Sequence, residues 1–394
     1  MATKSSSRTR SAGSSSSSPP AKRQKTTVAP FAASFPRRTR LSSSRWVNKI
    51  PHDIWVYKIL NPFLDLKALA TAGRCNTFFH EYWQYVLKQN VIRVPEGCPT
   101  MNQAMDLAVV FSERNDCTRE NPVKIEVGEG EHAMVGVAVD AFGGLHTHVS
   151  CSNIAIVGKG GNKTTILGGF YVDGKQGVTL EQLAVTNEAG FGLRCTGGGA
   201  NVDVSKCCFK KCRYDGMDAS NGATATVTRC DFMENGYNGV ACSGVNVKVR
   251  LNDSTIHHNR QDGLFVRQGA TATATRCECM ENGQCGVACH AVNTKVRLYD
   301  CTMHHNGVDG LGADDHVVVN LHGTETDIHA NKEDGIAVYN YAKVNIHLPS
   351  QHNTSHDNAD NNRTQINGGS IANINADGTF THVVVDEHDG WVTE

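Results

Sequence analysis

A repeat between residues 192 and 336 constrains the fold of this chain more than any other feature. A glycine followed by an apolar residue recurs there every 23 to 25 residues, at Gly192-Leu193, Gly216-Met217, Gly239-Val240, Gly263-Leu264, Gly286-Val287, Gly310-Leu311 and Gly335-Ile336. Four residues before the last five glycines stands an asparagine: Asn235, Asn259, Asn282, Asn306 and Asn331. Glycine and asparagine both tolerate left-handed turns. A fixed period of this length indicates a solenoid in which each repeat forms one coil.

The sequence also repeats at twice this interval, which excludes chance as its origin. MENG at 233–236 returns at 280–283, and GVAC at 239–242 returns at 286–289. From Lys124 onward, short alternating strands are separated by Gly, Asn and Asp. Neighbouring strands lie about 4.8 Å apart, so each repeat position becomes a column along the solenoid. The pattern predicts a mainly β protein, a right-handed parallel β-helix.

Four columns hold apolar or small residues and are predicted to face the core. The first is Phe209, Phe232, Ile256, Cys279, Met303 and Ile328. The second is Met217, Val240, Leu264, Val287, Leu311 and Ile336. The third is Cys195, Ala219, Cys242, Val266, Cys289, Ala313 and Val338. The fourth, with smaller side chains, is Cys207, Cys230, Ser254, Cys277 and Cys301.

Two further columns alternate in charge and are predicted to face solvent. One contains Arg229, Asp253, Arg276 and Asp300. The other contains Glu234, His258, Glu281 and His305. Because opposite charges on neighbouring strands contribute roughly 0.2–1 kcal/mol each, we interpret these columns as stabilising ladders.

The β-helix domain is predicted to span residues 91–394 and to begin with a capping helix. Thr100 and Gln103 form the pattern of a capping box, and residues 100–113 carry apolar side chains at helical spacing. Such a helix covers the edge and core exposed at the end of a solenoid.

Residues 1–45 differ sharply from the rest of the chain. They contain thirteen Ser and ten Lys or Arg but no Asp or Glu. A segment of this composition cannot bury enough apolar surface to fold, so we expect a disordered basic tail. The remaining residues hold 38 − 10 = 28 basic and 39 acidic side chains, a net charge of −11. Within the tail, PAKRQK at 20–25 resembles a short nuclear-import signal.

The expected location is nuclear, cytoplasmic or both, without a membrane partner. No stretch approaches the roughly 20 apolar residues that cross a bilayer. The basic N-terminus is not followed by the apolar segment of a secretory signal. The fifteen cysteines are therefore interpreted as reduced thiols.

Residues 46–90 are predicted to form three short helices rich in large apolar residues. Ile50, Ile54 and Ile59 follow helical spacing, and Pro62 ends the first helix. The segment resembles an F-box in Ile50-Pro51-His52-Asp53-Ile54, Ile59-Leu60, Pro62-Phe63-Leu64-Asp65, Leu69 and the helix at 78–83. A helical cap packed on the solenoid is the alternative interpretation.

The two parts of the chain together resemble a group of F-box proteins with β-helix repeats. Residues 153–169 and 177–187 are similar to the opening coils of the pectate-lyase-like superfamily. The resemblance implies a substrate receptor of an SCF-type cullin–RING ubiquitin ligase, whose β-helix binds an unknown target protein. It implies an adaptor-binding surface made of Ile50, Pro51, Ile54, Ile59, Leu60, Pro62, Phe63, Leu64 and Leu69. No enzymatic activity and no cofactor are expected.

The alternative function is that of a carbohydrate-binding or carbohydrate-active β-helix. Asp314-Asp315 is a paired carboxylate, and Arg250 and Arg297 are suited to hold an acidic sugar. Glycoside hydrolysis needs two flanking carboxylates, and lyases usually use calcium held by clustered carboxylates. The sequence contains neither a recognisable catalytic set nor an acidic calcium cluster. We therefore predict that the protein is not an enzyme.

No metal site is predicted, although cysteines lie close together in the sequence. These are Cys207, Cys208 and Cys212 in one place and Cys277, Cys279 and Cys285 in another. No second pair completes four zinc ligands. Buried thiols that behave as small apolar side chains are the better interpretation.

Four basic residues form a candidate partner-binding stripe for an acidic segment: Lys248, Arg250, Lys295 and Arg297. They share an outward strand face with Thr224, Thr226, Thr271 and Thr273. The stripe lacks aromatic side chains for base stacking, and the body of the protein is acidic, so nucleic acid is an unlikely partner.

Overall fold

The β-helix is present in the computed structural model of the chain. The residues described are 90–134, 138–139, 145–347, 354–375 and 377–382. The predicted tail at 1–45 and the F-box-like helices at 46–89 lie outside this described part. Each coil contributes one strand to each of three sheets, and no helix among the described residues is long and apolar enough to span a membrane.

Sheet 1 contains thirteen strands in the described part. In order across the sheet they are β1 (Val91–Val94), β2 (Val123–Val127), β6 (Ile154–Val157), β9 (Val178–Glu181), β12 (Asn201–Ser205), β15 (Thr224–Thr228), β18 (Lys248–Asn252), β21 (Thr271–Thr275), β24 (Lys295–Tyr299), β27 (Val318–His322), β30 (Lys343–His347), β33 (Ser370–Ile374) and β34 (Phe380–His382).

Sheet 2 contains ten strands among the described residues. They are β3 (Gly130–Ala133), β7 (Thr164–Leu167), β10 (Ala184–Thr186), β13 (Cys208–Lys210), β16 (Asp231–Met233), β19 (Thr255–His257), β22 (Glu278–Met280), β25 (Thr302–His304), β28 (Asp327–His329) and β31 (Ser355–His356).

Sheet 3 contains eleven strands within the same described ranges. They are β4 (Ala138–Val139), β5 (Leu145–His148), β8 (Gly169–Asp173), β11 (Leu193–Thr196), β14 (Met217–Ser220), β17 (Val240–Ser243), β20 (Leu264–Arg267), β23 (Val287–His290), β26 (Leu311–Asp314), β29 (Ile336–Val338) and β32 (Arg363–Gln365).

The predicted inward columns are confirmed by the strand register. All members of the four columns are buried. In sheet 2, Phe209 pairs with Phe232 and Phe232 pairs with Ile256, all on parallel strands. The rings of Phe209 and Phe232 are stacked with centroids 5.1 Å apart. One continuous apolar core therefore runs along the solenoid axis, as the period of the sequence requires.

The repeated asparagines form a buried ladder along one turn of the coils. In Asn259, for example, the side-chain Nδ2 donates to Phe232 O at 3.0 Å and to Asn282 Oδ1 at 3.0 Å. Asn282 Oδ1 also accepts a hydrogen bond from Asn259 N at 3.2 Å. The ladder continues to Asn358, which follows Asn331 after 27 residues and so falls outside the regular period.

The repeat glycines are required by space and not by a left-handed backbone, which corrects the expectation from the sequence. A Cβ at Gly239 would lie 2.2 Å from Ile256 Cγ2 and 2.9 Å from Gly263 O. The positive φ of this turn belongs instead to the residue before each ladder asparagine, such as Glu234 and Glu281. The glycine permits the close approach of side chains from the next coil.

The predicted capping helix is present as α1 (Met101–Arg114). Thr100 Oγ1 accepts a hydrogen bond from Gln103 N at 3.3 Å. The helix buries an apolar face against the first strands of sheet 1, formed by Met101, Ala104, Met105, Ala108 and Phe111. Strand β1 precedes the helix in the chain, so the solenoid begins earlier than the alternating pattern after Lys124 indicated.

The charged outward columns make the expected contacts between coils. Arg276 Nε lies 2.7 Å from Asp253 Oδ1, and His258 Nε2 lies 2.5 Å from Glu281 Oε2. These pairs are exposed to solvent, and exposed ion pairs contribute little individually. Their alternation nevertheless prevents like charges from facing each other on adjacent coils.

Candidate functional site

The outward face of sheet 3 carries a column of polar and aromatic side chains over its first coils. Register pairs His148 with Tyr171, Tyr171 with Arg194, and Arg194 with Asp218. The column continues through Ala241. Because side chains on a strand alternate between its two faces, these residues lie side by side on the surface opposite the core.

Arg194 and Asp218 form an ion pair at the centre of this column. Arg194 Nε lies 3.2 Å from Asp218 Oδ2, and the two side chains are only 22% and 14% exposed. The guanidinium also lies over the rings of Phe191 and Tyr171, 5.1 and 5.9 Å from their centroids. Burial raises the pKa of Asp218, an effect that Arg194 opposes.

Histidine and tyrosine rings extend the cluster toward the first coils. His146 Nε2 and His148 Nε2 lie 3.3 Å apart. The ring centroids of these histidines lie 4.9 and 4.7 Å from that of Tyr171. The groups that can donate or accept a proton are thus concentrated within four adjacent strands, β5, β8, β11 and β14.

A row of aromatic rings borders the cluster on consecutive coils. The centroids of Phe191 and Tyr214 lie 5.0 Å apart, and those of Tyr214 and Tyr237 lie 5.7 Å apart. Tyr237 is 45% exposed. Rings exposed at such spacing offer flat apolar surfaces to an extended ligand that runs along the solenoid.

A second column, at the start of the sheet 3 strands, contains acidic residues that are buried. Asp215 Oδ1 accepts hydrogen bonds from Asn238 N at 2.8 Å and from Asn238 Nδ2 at 2.9 Å. Burial raises the pKa of Asp215 to about 7 and that of Asp309 to about 7. A carboxyl group with a pKa raised in this way meets one requirement of a general acid or base that works near neutral pH.

In later coils, small side chains replace most of the polar and aromatic residues on this outward face of sheet 3. Ala241 and Ala288 are small and buried, and between them Phe265 lies beside Arg267 and His290. The small side chains make a shallow floor in these coils. The density of titratable and aromatic groups is therefore greatest near Arg194.

The predicted basic stripe lies on a different face, the outward side of sheet 1. Register places Thr271 between Lys248 and Lys295, and Thr273 between Arg250 and Arg297. All four basic residues are exposed. Lys343 extends the lysine column beyond Val318, a position that the sequence analysis did not include. The role of the stripe in binding stays a prediction.

The pairing of Asp314-Asp315 with Arg250 and Arg297 is not formed. Asp314 lies on sheet 3, where its carboxylate accepts from Asn340 Nδ2 at 2.7 Å, whereas both arginines lie on sheet 1. Asp315 follows the strand in a left-handed turn. The two carboxylates therefore do not form a site with these arginines.

The described cysteines include no disulfide, and most are buried. Burial raises the pKa of Cys242, Cys279 and Cys289 well above its usual range. Such thiols stay protonated at neutral pH, whereas a zinc ligand must be a thiolate.

The predicted adaptor-binding residues, from Ile50 to Leu69, lie outside the described residues. The family comparison gives no match to an F-box. Binding of a ligase adaptor by this segment stays a prediction without further support.

A comparison with protein-family models finds the right-handed β-helix region at residues 162–294, 192–355 and 248–384. Together these matches cover more than half of the chain. The chain belongs to the right-handed β-helix family. The predicted handedness and the pectate-lyase-like resemblance are thereby supported. A search of curated proteins finds no significant match.

Several solved structures are similar to this β-helix protein. One is the A-module of a mannuronan C-5 epimerase from Azotobacter vinelandii, with 12% identity and a TM-score of 0.42, covering 70% of this chain and 91% of that one. A pectate lyase has 15% identity and a TM-score of 0.39, covering 57% and 60%. A GH87 α-1,3-glucanase from Streptomyces thermodiastaticus has 11% identity and a TM-score of 0.35, covering 75% and 70%.

These similarities correct the prediction that this β-helix protein is not an enzyme. The three solved structures are carbohydrate-active enzymes, a finding that contradicts the expectation of no enzymatic activity. At such low identity the likeness gives the fold alone. Any activity of this chain has to be argued from its own residues.

Sequence analysis missed the cluster around Arg194, although a signal was present. Tyr171, Arg194 and Asp218 are separated by 23 and 24 residues, the spacing of one coil. Arg194 and Asp218 lie directly beside residues of the assigned inward columns, and Tyr171 lies one coil before the first glycine of the repeat. Extending the repeat backward by one coil would have brought all three residues onto one face.

Proposed function

We propose that this protein is carbohydrate-active and binds an acidic polysaccharide along the outward face of sheet 3. The observation that carries the proposal is the partly buried Arg194–Asp218 ion pair beside the row of aromatic rings at Phe191, Tyr214 and Tyr237. Sites for small molecules and sugars combine aromatic walls with a few precisely placed polar groups.

The aromatic row supports an extended ligand rather than a compact one. Phe191, Tyr214 and Tyr237 come from three consecutive coils, so the row runs parallel to the solenoid axis. A polysaccharide chain in the same direction would place successive sugar rings against successive side chains. The apolar C–H faces of the sugars would pack on the tyrosine and phenylalanine rings.

The arginines support an acidic ligand. Arg194 lies on this face, and Arg213 and Arg267 lie over neighbouring aromatic rings. A guanidinium binds a carboxylate through two parallel hydrogen bonds, which a neutral sugar cannot offer. The charge of a uronic acid is therefore matched by side chains that already face outward.

The proton-transfer groups support chemistry at one bound sugar. Asp215, with a pKa raised to about 7 by burial, exchanges a proton near neutral pH. Arg194, which is paired with Asp218 through Nε, would also contact the sugar carboxylate and offset part of its charge, which makes the adjacent C–H more acidic. Asp215 or His148 would accept the proton from that carbon. The other of these two groups would either return a proton to the opposite face of the sugar, which gives epimerisation, or protonate the departing glycosidic oxygen, which gives elimination.

Binding is tested with full-length protein, polygalacturonate and mannuronan as acidic ligands, and a neutral glucan for comparison. We expect binding of an acidic polymer, weakened about tenfold or more by Arg194→Ala, the loss expected of one charge-assisted contact. Because Arg194→Ala leaves Asp218 without its arginine, Tyr237→Ala serves as a second variant at an exposed position.

Arg250→Ala is the matched control, since Arg250 is an exposed arginine on sheet 1. Loss of binding in this control, with unchanged binding in Arg194→Ala and Tyr237→Ala, would refute the proposed face. Activity is read separately, by ultraviolet absorbance of an unsaturated product and by proton NMR of epimerised sugars. Asp215→Asn is expected to remove turnover while the polymer still binds.

A further inference from the structure

A cluster of one carboxylate and two imidazole side chains lies on sheet 2, on a different face from the proposed polysaccharide site. Asp327 and His329 stand two residues apart on β28 and so face the same way. His356 lies on the adjacent strand β31, where it pairs in register with His329. One possible ligand atom from each of the three residues lies within 4.8 Å of the other two.

Two of the three spacings already approach those of a metal site. Asp327 Oδ2 lies 3.2 Å from His329 Nδ1, and Asp327 Oδ1 lies 2.9 Å from His356 Nε2. Ligand atoms bound at about 2.0–2.1 Å in a tetrahedral zinc site lie roughly 3.4 Å apart. Small rotations of the side chains are sufficient to place all three atoms around one cation.

The hydrogen bonding of the cluster is incomplete, which points to a missing ligand. Asp327 Oδ1 and His329 Nδ1 are shielded from solvent, and apart from the two contacts within the cluster given above they have no hydrogen-bond partner. Buried polar atoms rarely lack such partners. A cation between them would satisfy both atoms at once.

Asp357 supplies the support that metal-binding histidines usually have. His356 Nδ1 lies 2.9 Å from Asp357 Oδ2, which leaves Nε2 directed at Asp327. A carboxylate in this position fixes the ring and the tautomer of a histidine ligand. The three ligand residues remain 28–37% exposed, so a cation can enter from solvent.

The internal repeat provides two comparison sites in the same molecule. His257 Nε2 lies 2.9 Å from Asp231 Oδ1, and His304 Nε2 lies 3.0 Å from Glu278 Oε1. Each pair joins an acid on one coil to a histidine on the next, as Asp327 and His356 do. The position of His329 is taken by methionine in both of these coils, Met233 and Met280. Among the described residues, the Asp327 coil is thus the one that brings a second imidazole together with an acid–histidine pair of this kind, so that three possible ligand atoms lie within 4.8 Å of one another.

We propose that Asp327, His329 and His356 bind one divalent transition-metal cation, such as Zn²⁺. Two imidazole nitrogens and one carboxylate oxygen suit zinc and its neighbours rather than magnesium or calcium. Solvent completes the coordination. The bound cation joins the coils of β28 and β31 and stabilises the C-terminal part of the solenoid.

The test measures zinc binding to the full-length protein by equilibrium dialysis against buffered free Zn²⁺ near neutral pH. His329→Met introduces the residue that the repeat itself uses at this position, so the coil is expected to fold normally. We expect this variant to bind one Zn²⁺ fewer than the wild type. Asp327→Asn, which keeps the shape but removes the charge, is expected to weaken binding at this site at least tenfold.

His257→Met is the matched control, because it removes a histidine from a pair that has no third ligand. This control is expected to keep the wild-type stoichiometry, and circular dichroism verifies the fold of each variant. Substituted Co²⁺ should give ligand-field absorption bands in wild type and in His257→Met, with lower intensity in His329→Met. Equal zinc stoichiometry and affinity in wild type and His329→Met would overturn the proposal.

Discussion

Asn282→Ala, the replacement of one ladder asparagine, should reduce the free energy of unfolding by more than the loss of a few side-chain atoms would. Asn282 is buried, and its Nδ2 donates to Ile256 O at 3.0 Å and to Asn306 Oδ1 at 3.1 Å. Its Oδ1 accepts from Asn259 N at 3.2 Å and from Asn259 Nδ2 at 3.0 Å. Alanine removes all four hydrogen bonds, so Asn259 N loses its acceptor and Asn259 Nδ2 keeps only Phe232 O.

The expected loss follows from these contacts. A hydrogen bond contributes a net 1 kcal/mol or so, and a buried polar group left unsatisfied costs about 1–3 kcal/mol. Partial relaxation of the turn reduces the sum, so we expect the free energy of unfolding to fall by about 3–5 kcal/mol. Asn235→Ala should reduce the free energy of unfolding by a smaller amount. Its neighbour in the preceding coil is Cys212, which donates only its backbone N–H to Asn235 Oδ1.

Urea unfolding followed by far-ultraviolet circular dichroism measures the effect. Asn252→Ala is the matched control, since Asn252 lies on the outward side of β18, and its loss should stay within about 0.5 kcal/mol. A loss below about 1 kcal/mol in Asn282→Ala would refute the ladder as a source of stability. Equal losses at Asn282 and Asn252 would do the same.

Three other substitutions test separate parts of the structure. Burial raises the pKa of Asp215 to about 7, so the folded protein binds more protons than the unfolded chain between roughly pH 4 and 7. The free energy of unfolding of the wild type should therefore decrease as the pH rises through this window. In Asp215→Asn, urea unfolding should show a decrease that is smaller by up to about 4 kcal/mol. An equal decrease in the variant would contradict the burial argument. A Cβ at Gly310 would lie 2.3 Å from Ile328 Cγ2, so Gly310→Ala should destabilise the fold by about 1–3 kcal/mol and lower the melting temperature accordingly. Gly198→Ala is the control, because no atom lies within 4 Å of a Cβ at that position, and its melting temperature should not change. Similar melting temperatures for the two variants would contradict the close approach at Gly310. Phe232→Ala removes one ring of the Phe209–Phe232 stack and should cost about 3–5 kcal/mol in chemical unfolding, and a cost near zero would exclude this stack from the core.

The sequence was sufficient to predict the coils, because residues separated by one repeat period lie next to each other on adjacent strands. Phe209, Phe232 and Ile256 are separated by 23 and 24 residues, and they touch for that reason alone. The role of the repeat glycines was not predictable in the same way. It depends on how closely the side chain of Ile256 approaches Gly239, which only the packed structure reveals.

The outward face was harder to predict than the core for a physical reason. Inward columns must be apolar in every coil, so errors in register become visible as polar residues in the core. Outward positions carry no such requirement, and the change from Arg194 to Asp218 to Ala241 follows no repeat. The proposed binding face therefore lies where the outward residues of successive coils stop repeating.

The cluster of Asp327, His329 and His356 is the opposite case, because comparison with the other repeats shows which residue differs. His329 replaces a methionine that stands at the equivalent position two and four coils earlier, Met280 and Met233. The replacement itself is visible in the sequence. Its proximity to an acid–histidine pair could not be predicted, because the strand register is needed to show which residues of adjacent coils are neighbours.

Hydroxyl-radical footprinting with and without bound polygalacturonate tests most directly whether the polysaccharide lies on sheet 3. The account predicts that oxidation of Tyr171, Tyr214 and Tyr237 falls when the polymer binds. Oxidation of Tyr299, which stacks on His322 on the outward side of sheet 1, should not change. Protection of Tyr299 with unchanged oxidation of the three sheet 3 tyrosines would contradict the account.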